Sequence, residues 1–517
     1  MHWAERIAGR LIENHPERQT FVCASGISPS GQVHIGNFRE IVTTAFVAKA
    51  LRKAGKEVRF IFSWDDFDRF RKVPANVDPG FVQYIGMPYA QVPCPYGCHA
   101  SYAAHFEAEF ERALGVFGIR PEFIYQSREY QSGRYYPEIL HALRHREEIY
   151  DILMAFKTGE SSAEDRAAYY PVNIYCRQCG KDSTTLHHFN DTAETVAYSC
   201  KCGHSETLSV TQADNMKLHW KIDWPMRWKL EQVDFEPGGR DHSSETGSYN
   251  VAAVISERIF GNTPPMYEPY EFISIKGSYS KMSGSSGHHY TPDDLLNIYA
   301  PENILFLFAK YQPGAAFHIG FDEDVLRNYA EFERYAAGYA AGTLSGDYAA
   351  ALGLSLPSES ARKAPSFSQI AGLLPLINFS RERLRGILAQ AGEEPDEEQL
   401  LQTADRAEHW LRNWMPHKLV TFNSSPNLAY YHSLTAEELK WLRSLCGLLR
   451  SSKLNDQEQM TAVYAICHHE DKKTMRAQQK RLFTIIYQLV LNADEGPRLP
   501  MLIQAAGTEK MLLLLDL

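Results

Sequence analysis

The pattern of apolar and polar residues changes character along the chain. Residues 20–26, TFVCASG, form a nearly unbroken apolar run, as expected of a buried strand. A Pro/Gly/Ser turn, SPSGQ, follows. HIGNFREIVTTAFVAKALRKAG then has helical spacing, with Gly55 placed to end it. VRFIFSWDD, from Val58, predicts the next strand. Strand, helix and strand in this order predict a parallel sheet with a right-handed crossover. Ligands of such sheets sit beyond the carboxyl ends of the strands, where SPSGQVHIGN and SWDD both fall. From about 92 to 210 cysteines, histidines and tyrosines interrupt the pattern. From Ala213 it returns with DWPMRW, GGRDHSSETGSYN and EFISIK. YTPDDLLNIY and the residues up to about 355 read as helix, and LSLPSESARKAPS at 354–366 reads as a linker. The remainder is helical in period, and Thr435 with Glu438 makes a capping box.

Composition narrows the class. A chain of 517 residues suggests about three to four domains. With 44% apolar and 22% charged residues it has an ordinary globular balance. No segment is long and apolar enough to span a bilayer, and the charged N-terminal residues lack the apolar centre of a secretory signal. A cytoplasmic protein without membrane contact is expected. There its nine cysteines stay reduced, and clustered ones point to metal before disulfides. Cys176-x2-Cys179 and Cys200-x-Cys202 form two knuckles able to close a tetrahedral zinc site, with Gly180 and Gly203 supplying the turns. Cys94, Cys98, His99 and His105 offer a second set of four ligands. The adjacent Cys98 and His99 require a loop, which Pro93 and Pro95 permit. With four protein ligands each, both sites would be structural. A net charge of −10 argues against a generic polyanion binder while leaving room for local basic patches.

Two short stretches carry the chemistry. His34-Ile35-Gly36-Asn37 opens a helix directly after the first strand. A helix N-terminus favours phosphate, Gly36 lets a nucleotide approach the backbone, and His34 can donate to phosphate oxygens. GSYSKMSGSSGHH, residues 277–289, sets one lysine, Lys281, among serines and glycines; alone it reads as a solubilising loop. Together, HIGN at 34–37 and KMSGS at 281–285 resemble the two signatures of the class I aminoacyl-tRNA synthetases, His-Ile-Gly-His and Lys-Met-Ser-Lys-Ser. Asn37 replaces the last histidine and Gly284 the second lysine, leaving Lys281 as the main cation of its loop. The wider match, including ASGISPSGQVHIGNFRE, FSWDDFDRFRKVP, GCHASYAAHF, DWPMRW and EPGGRDHSSETGSY, is to the class I lysyl-tRNA synthetases over about 20–290.

That resemblance implies a Rossmann-type α/β nucleotide-binding catalytic domain at 1–290 with a zinc-binding insertion at about 92–210. It also implies a helical stem-contact region at 291–355 and an all-α anticodon-binding domain at 356–517. It implies ATP with Mg2+, L-lysine and tRNA(Lys) as ligands, a lysyl-adenylate intermediate and a monomer. His34 and Lys281 become the expected catalytic residues, and Gly36, Asn37, Met282 and Ser283 join them around ATP. Glutamyl enzymes resemble this chain at SPSG but place an arginine upstream, where this chain has Ala24. A cationic substrate needs acidic and aromatic groups instead. Gly26, Ser28, Asp65, Trp220, His242 and Tyr270 are the expected lysine contacts, with Asp66, Asp68 and Trp224 nearby. Similar enzymes carry a metal-type cluster at the GCH stretch. Basic groups at Arg381, Arg383 and Arg385 and at Lys472, Lys473, Arg476, Lys480 and Arg481 are candidates for RNA phosphate. The stretch HWLRNWMPHKLVTF, near 410–422, is the candidate for reading splayed bases. A glutamyl- or arginyl-type ligase, or a tRNA-binding paralogue without activation, is the alternative.

Overall fold

The computed structural model describes residues 1–157, 162–276, 290–356, 365–451 and 456–517. Five strands form its central sheet: β1 (Thr20–Ile27), β2 (Glu57–Trp64), β3 (Glu122–Tyr125), β4 (Phe235–Gly239) and β5 (Met266–Tyr270). All pairs are parallel and the order is β5-β4-β1-β2-β3. The chain winds outward from β1 through β2 to β3, then returns to add β4 and β5 on the other side of β1. The order therefore reverses between β1 and β4, and the crevice beyond their carboxyl ends is where such a sheet binds ligands. The first crossover is α1 (Ile35–Lys53), buried on most of its circumference as expected of a helix enclosed by protein. Trp3 packs edge-on to Phe46 on one part of it and Phe308 edge-on to Phe38 on another. Gly55 follows α1 with φ +80°, as its place in the sequence predicts.

β3 lies inside the stretch expected to be an insertion. It pairs with β2 from Ile61 opposite Glu122 to Trp64 opposite Tyr125, and helix Tyr102–Val116 is the crossover between them. The departure from the sheet therefore begins after Tyr125, not near residue 92. Beyond it, helices lead to the antiparallel strands Thr184–Asn190, Thr195–Cys200 and Ser205–Ser209 and to the pair Val172–Ile174 and Met216–Leu218. Val196, Tyr198, Leu208, Ile174 and Met216 form their core. DWPMRW lies on α2 (Trp220–Glu231), which leads into β4. EFISIK does not extend the main sheet: Ile273–Ile275 pairs in parallel with Phe317–Ile319.

The chain divides into two compact units. One holds Met1–Leu295, Pro301–Ile319 and Gly338–Glu359; the other holds Leu296–Ala300, Gly320–Ala337 and Ser360–Leu517. The stretch 291–355 is thus shared between them instead of forming a region of its own, because helix Pro301–Ala309 sends Phe308 onto α1. The second unit is helical among its described residues, with a core that includes Phe367, Leu384, Trp410, Leu445, Ile485, Leu489 and Leu502. Thr435 and Glu438 exchange the capping-box bonds that the sequence predicts. No helix among the described residues is long and apolar enough to cross a membrane.

Candidate active site

β1 and β2 run so close at Gly26 that a Cβ there would lie 2.8 Å from the Ser63 carbonyl oxygen, which only glycine avoids. The Gly26 N–H donates to Glu40 on α1 at 3.0 Å. The Tyr270 hydroxyl, from the end of β5, donates to the other carboxylate oxygen at 2.9 Å. Glu40 is half-buried, and desolvation, with Glu236 and Asp65 adding like charge, pushes its carboxyl up to about 8. Among the described residues no lysine, arginine or histidine forms an ion pair with it. Sequence reasoning missed Glu40 as a functional residue. A charged residue in a helix usually faces water, and the available signal was its position within an otherwise apolar helical run.

The end of β2 is organised differently. Asp65, an expected lysine contact, is buried and accepts from Arg227 of α2 at 2.7 Å. Arg227 also lies 3.3 Å from Asp223, and Lys217 bridges Asp68 at 3.0 Å and Asp223 at 3.4 Å. The Tyr130 hydroxyl donates to Asp223. Ser28, a second expected contact, donates to Asp68 at 3.0 Å. Asp66 accepts from the N–H and hydroxyl of Ser127, and burial pushes its carboxyl up to about 6. The aspartates that the sequence offers to a cationic substrate are therefore held by partners from the chain itself. Asp65, expected as a direct substrate contact, has its charge met by Arg227 of the chain itself.

Aromatic side chains wall the crevice on the α2 side. Trp220 stacks on Trp224 at 4.9 Å, and the Arg227 guanidinium lies 5.1 Å from its ring. Trp224 is buried and meets the His242 ring at 6.0 Å, whereas Trp220 keeps part of its surface open. The Trp228 indole donates to Glu236 of β4 at 2.6 Å. Gly26, Glu40, Trp220, His242 and Tyr270 thus come from elements that meet at the reversal of strand order.

At the start of α1, His34 is the N-cap. Its Nδ1 accepts from the N–H groups of Gly36 at 3.1 Å and Asn37 at 3.3 Å, so those two donors are satisfied within the helix. Because Nδ1 accepts, the neutral ring carries its proton on Nε2, which makes Nε2 the donating atom. The Ile35 N–H donates to the Tyr290 carbonyl at 2.9 Å, which brings the residue following 277–289 beside HIGN. Lys281, Met282 and Ser283 lie outside the described residues.

A family model described as tRNA synthetases class I (K) matches residues 1–352. The chain belongs to that family. A lysine–tRNA ligase of Treponema pallidum is 34% identical over 99% of this chain and 97% of its own length. Lysine–tRNA ligases of Borreliella burgdorferi and Pyrococcus horikoshii are each 33% identical, covering 98% and 96% respectively of both sequences.

The synthetase brings both predicted ligand sets together. In each of Cys176, Cys179, Cys200, Cys202 and Cys94, Cys98, His99, His105, one donor atom per residue lies within 4.8 Å of all the others. A tetrahedral ion bound at about 2.3 Å by sulfur holds its sulfurs about 3.8 Å apart. The observed separations are 3.7 Å for Cys176–Cys202, 3.6 Å for Cys179–Cys200 and 3.8 Å for Cys94–Cys98. The Nδ1 atoms of His99 and His105 are 3.3 Å apart and lie 3.1 and 3.3 Å from the Cys98 sulfur. Donor chemistry and spacing both fit a metal. Gly180 and Gly203 take φ +73° and +95° to turn the knuckles. Cys94, Cys98 and His99 lie between β2 and helix Tyr102–Val116, and His105 lies in the first turn of that helix, all outside the antiparallel strands near the other set.

In the helical unit several candidate RNA contacts are committed elsewhere. Arg381 pairs with Asp405 and Glu408, Arg385 with Glu397, and Arg481 with Glu438. Trp410 is wholly buried and its indole donates to the Phe321 carbonyl at 2.9 Å, so it is core and cannot stack on a base. Trp414 is 38% exposed.

Proposed function

We propose that this synthetase is a lysine–tRNA ligase: it joins L-lysine to ATP as lysyl-adenylate, releases pyrophosphate, and transfers the lysyl group to tRNA(Lys). The observation that carries this reading is Glu40. A carboxylate held by one amide N–H and one phenol, at the ligand end of the sheet and with no ion-pair partner among the described residues, suits the substrate's ε-ammonium. Trp220, partly exposed, and His242 give the same crevice an aromatic wall. Gly26 and Ser28 bound it on the β1 side. The lysine–tRNA ligases named above, alike over nearly the full length, support the same substrate.

In this reading the lysine carboxylate attacks the α-phosphate and pyrophosphate leaves, so charge builds on phosphate oxygens. The protein contributes positioning and electrostatic stabilisation. His34 Nε2–H donates to those oxygens, Gly36 leaves room for the nucleotide, Asn37 hydrogen-bonds to it, and Lys281 with Met282 and Ser283 supplies the second side. Mg2+ bound with ATP neutralises charge on its phosphates. Each four-ligand cluster holds one structural zinc ion. The helical unit contacts the anticodon arm through Arg383, Lys472, Lys473, Arg476 and Lys480. The enzyme works in the cytoplasm, where its thiols stay reduced.

Amino-acid-dependent exchange of pyrophosphate into ATP, run across all twenty amino acids with and without tRNA, tests the reading. Lysine-dependent exchange is expected. Exchange with another amino acid, or none, overturns it. Metal analysis of protein purified without chelator should find about two zinc ions per chain, and Cys176→Ser should lose one and lower Tm.

A further inference from the structure

The residue beside Glu40 on α1 is Arg39, and it is 2% exposed. Its guanidinium donates to three main-chain carbonyls: Nη1 to Glu271 at 2.6 Å, and Nη2 to Gln312 and Ala315, each at 2.9 Å. Its Cζ lies 5.1 Å from the centre of the Phe317 ring. Among the described residues no carboxylate pairs with it. Burial pulls its pKa down to about 10, opposed by the nearby charge of Glu271, so the fold retains a charge that it solvates mainly with backbone oxygens. Such an arrangement needs the planar fork of arginine, whose donors are fixed in direction.

What the fork holds is informative. Glu271 directly follows Tyr270, and its N–H donates to the Pro313 carbonyl at 2.9 Å. Phe317 begins the short strand Phe317–Ile319, which pairs with Ile273–Ile275 just after Glu271. Arg39 therefore ties both the end of β5 and the segment packed beside it to α1. Glu40, the next residue, takes the Tyr270 hydroxyl. Two consecutive side chains of one helix grip two consecutive residues of another element, one by its backbone and one by its side chain.

We propose that Arg39 is a positioning residue for the amino-acid subsite: it fixes the end of β5 against α1 so that Tyr270 stays on Glu40 at the distance an incoming ammonium requires. This rests on the lysine reading of the subsite. Without the fork, β5 can move away from α1, and the carboxylate loses the phenol that orients it.

Lysine-dependent pyrophosphate exchange in wild type, Arg39→Lys and Arg39→Met tests this, with norleucine as a lysine analogue lacking the ammonium. Arg39→Met should raise the lysine KM by about 10- to 10²-fold while the ATP KM moves by no more than about twofold. It should also narrow the preference for lysine over norleucine. Arg39→Lys, whose compact ammonium cannot reach three separated carbonyls, should fall between the two. If Arg39→Met does not fold, Arg39→Lys carries the test alone. Should kcat fall with both KM values and the lysine preference unchanged, Arg39 is only structural and the inference fails. A wild type without lysine-dependent exchange would remove the functional reading itself, a separate and recognisable result.

Discussion

Two neighbouring strand ends treat their carboxylates in opposite ways. At the end of β2, Asp65, Asp68 and Asp223 share Arg227 and Lys217 in a buried network of alternating charge. At the ends of β1 and β5, Glu40 has an N–H and a hydroxyl but no cation among the described residues. Burial pushes the carboxyls of both Asp65 and Glu40 up, but at Asp65 the Arg227 charge opposes that push, and at Glu40 the nearby charges are negative. Closed ion networks of this kind hold a structure in one arrangement, and breaking them is expensive. An uncompensated carboxylate at a ligand-binding edge costs stability with no return until something cationic arrives. The difference separates scaffold from subsite more sharply than the number of acidic residues near a cleft.

Breaking the closed side should have the largest effect. Arg227→Met strands Asp65 and Asp223 in a buried site and should cost about 3–5 kcal/mol of stability, read as a fall in Tm and in the denaturation midpoint. In the protein that remains folded the lysine KM should rise far less than in Glu40→Gln, since Arg227 meets the subsite only through the Trp220 ring. A KM that rises steeply at unchanged Tm would mean that the network touches substrate. The open side should respond the other way. Glu40→Gln removes the ammonium's partner and should cost about 2–4 kcal/mol of lysine binding, roughly 30- to 10³-fold in KM. Its Tm should hold or rise, because no buried carboxyl remains to be protonated or solvated.

The same contrast explains what the sequence could reveal. HIGN, the α1 crossover and the cysteine knuckles are local patterns, and they sit where spacing puts them. Asp65 is visible in SWDD, but its role depends on Arg227, which reaches it only through the fold. Glu40 sits in FRE, where one charge in a helix reads as a solvated face. The informative detail was that Arg39 and Glu40 stand together in a helix whose other positions are mostly apolar, so both charges had to point at protein. β3 escaped notice because EFIY is too short to show a period, and this moved the expected start of the insertion too far forward. Trp410 was misjudged for a related reason: an aromatic residue at helical spacing looks the same whether it faces RNA or core, and only its complete burial decides.

The smallest effect distinguishes the two ends without a mutation. Free Glu40 titrates at about 8, well above the ordinary glutamate value of 4.5 that it regains on unfolding. The folded state therefore binds a proton that the unfolded state has released between those limits. This contribution to stability is complete below about 4.5 and is lost as pH rises to about 8. Lysine reverses the preference, because its ammonium favours the ionised carboxylate. Binding at pH 7 should release about one proton, measurable as a calorimetric enthalpy that depends on the ionisation enthalpy of the buffer. Lysine affinity should rise from pH 6 towards 8 by at most about tenfold per unit, or 1.4 kcal/mol, and then level off. The increase in Tm on adding lysine should be larger at pH 8 than at pH 6. Glu40→Gln should flatten this profile. A wild-type affinity that stays constant from pH 6 to 8 would place the ammonium away from Glu40, and the open strand end would lose the role that its missing cation assigns to it.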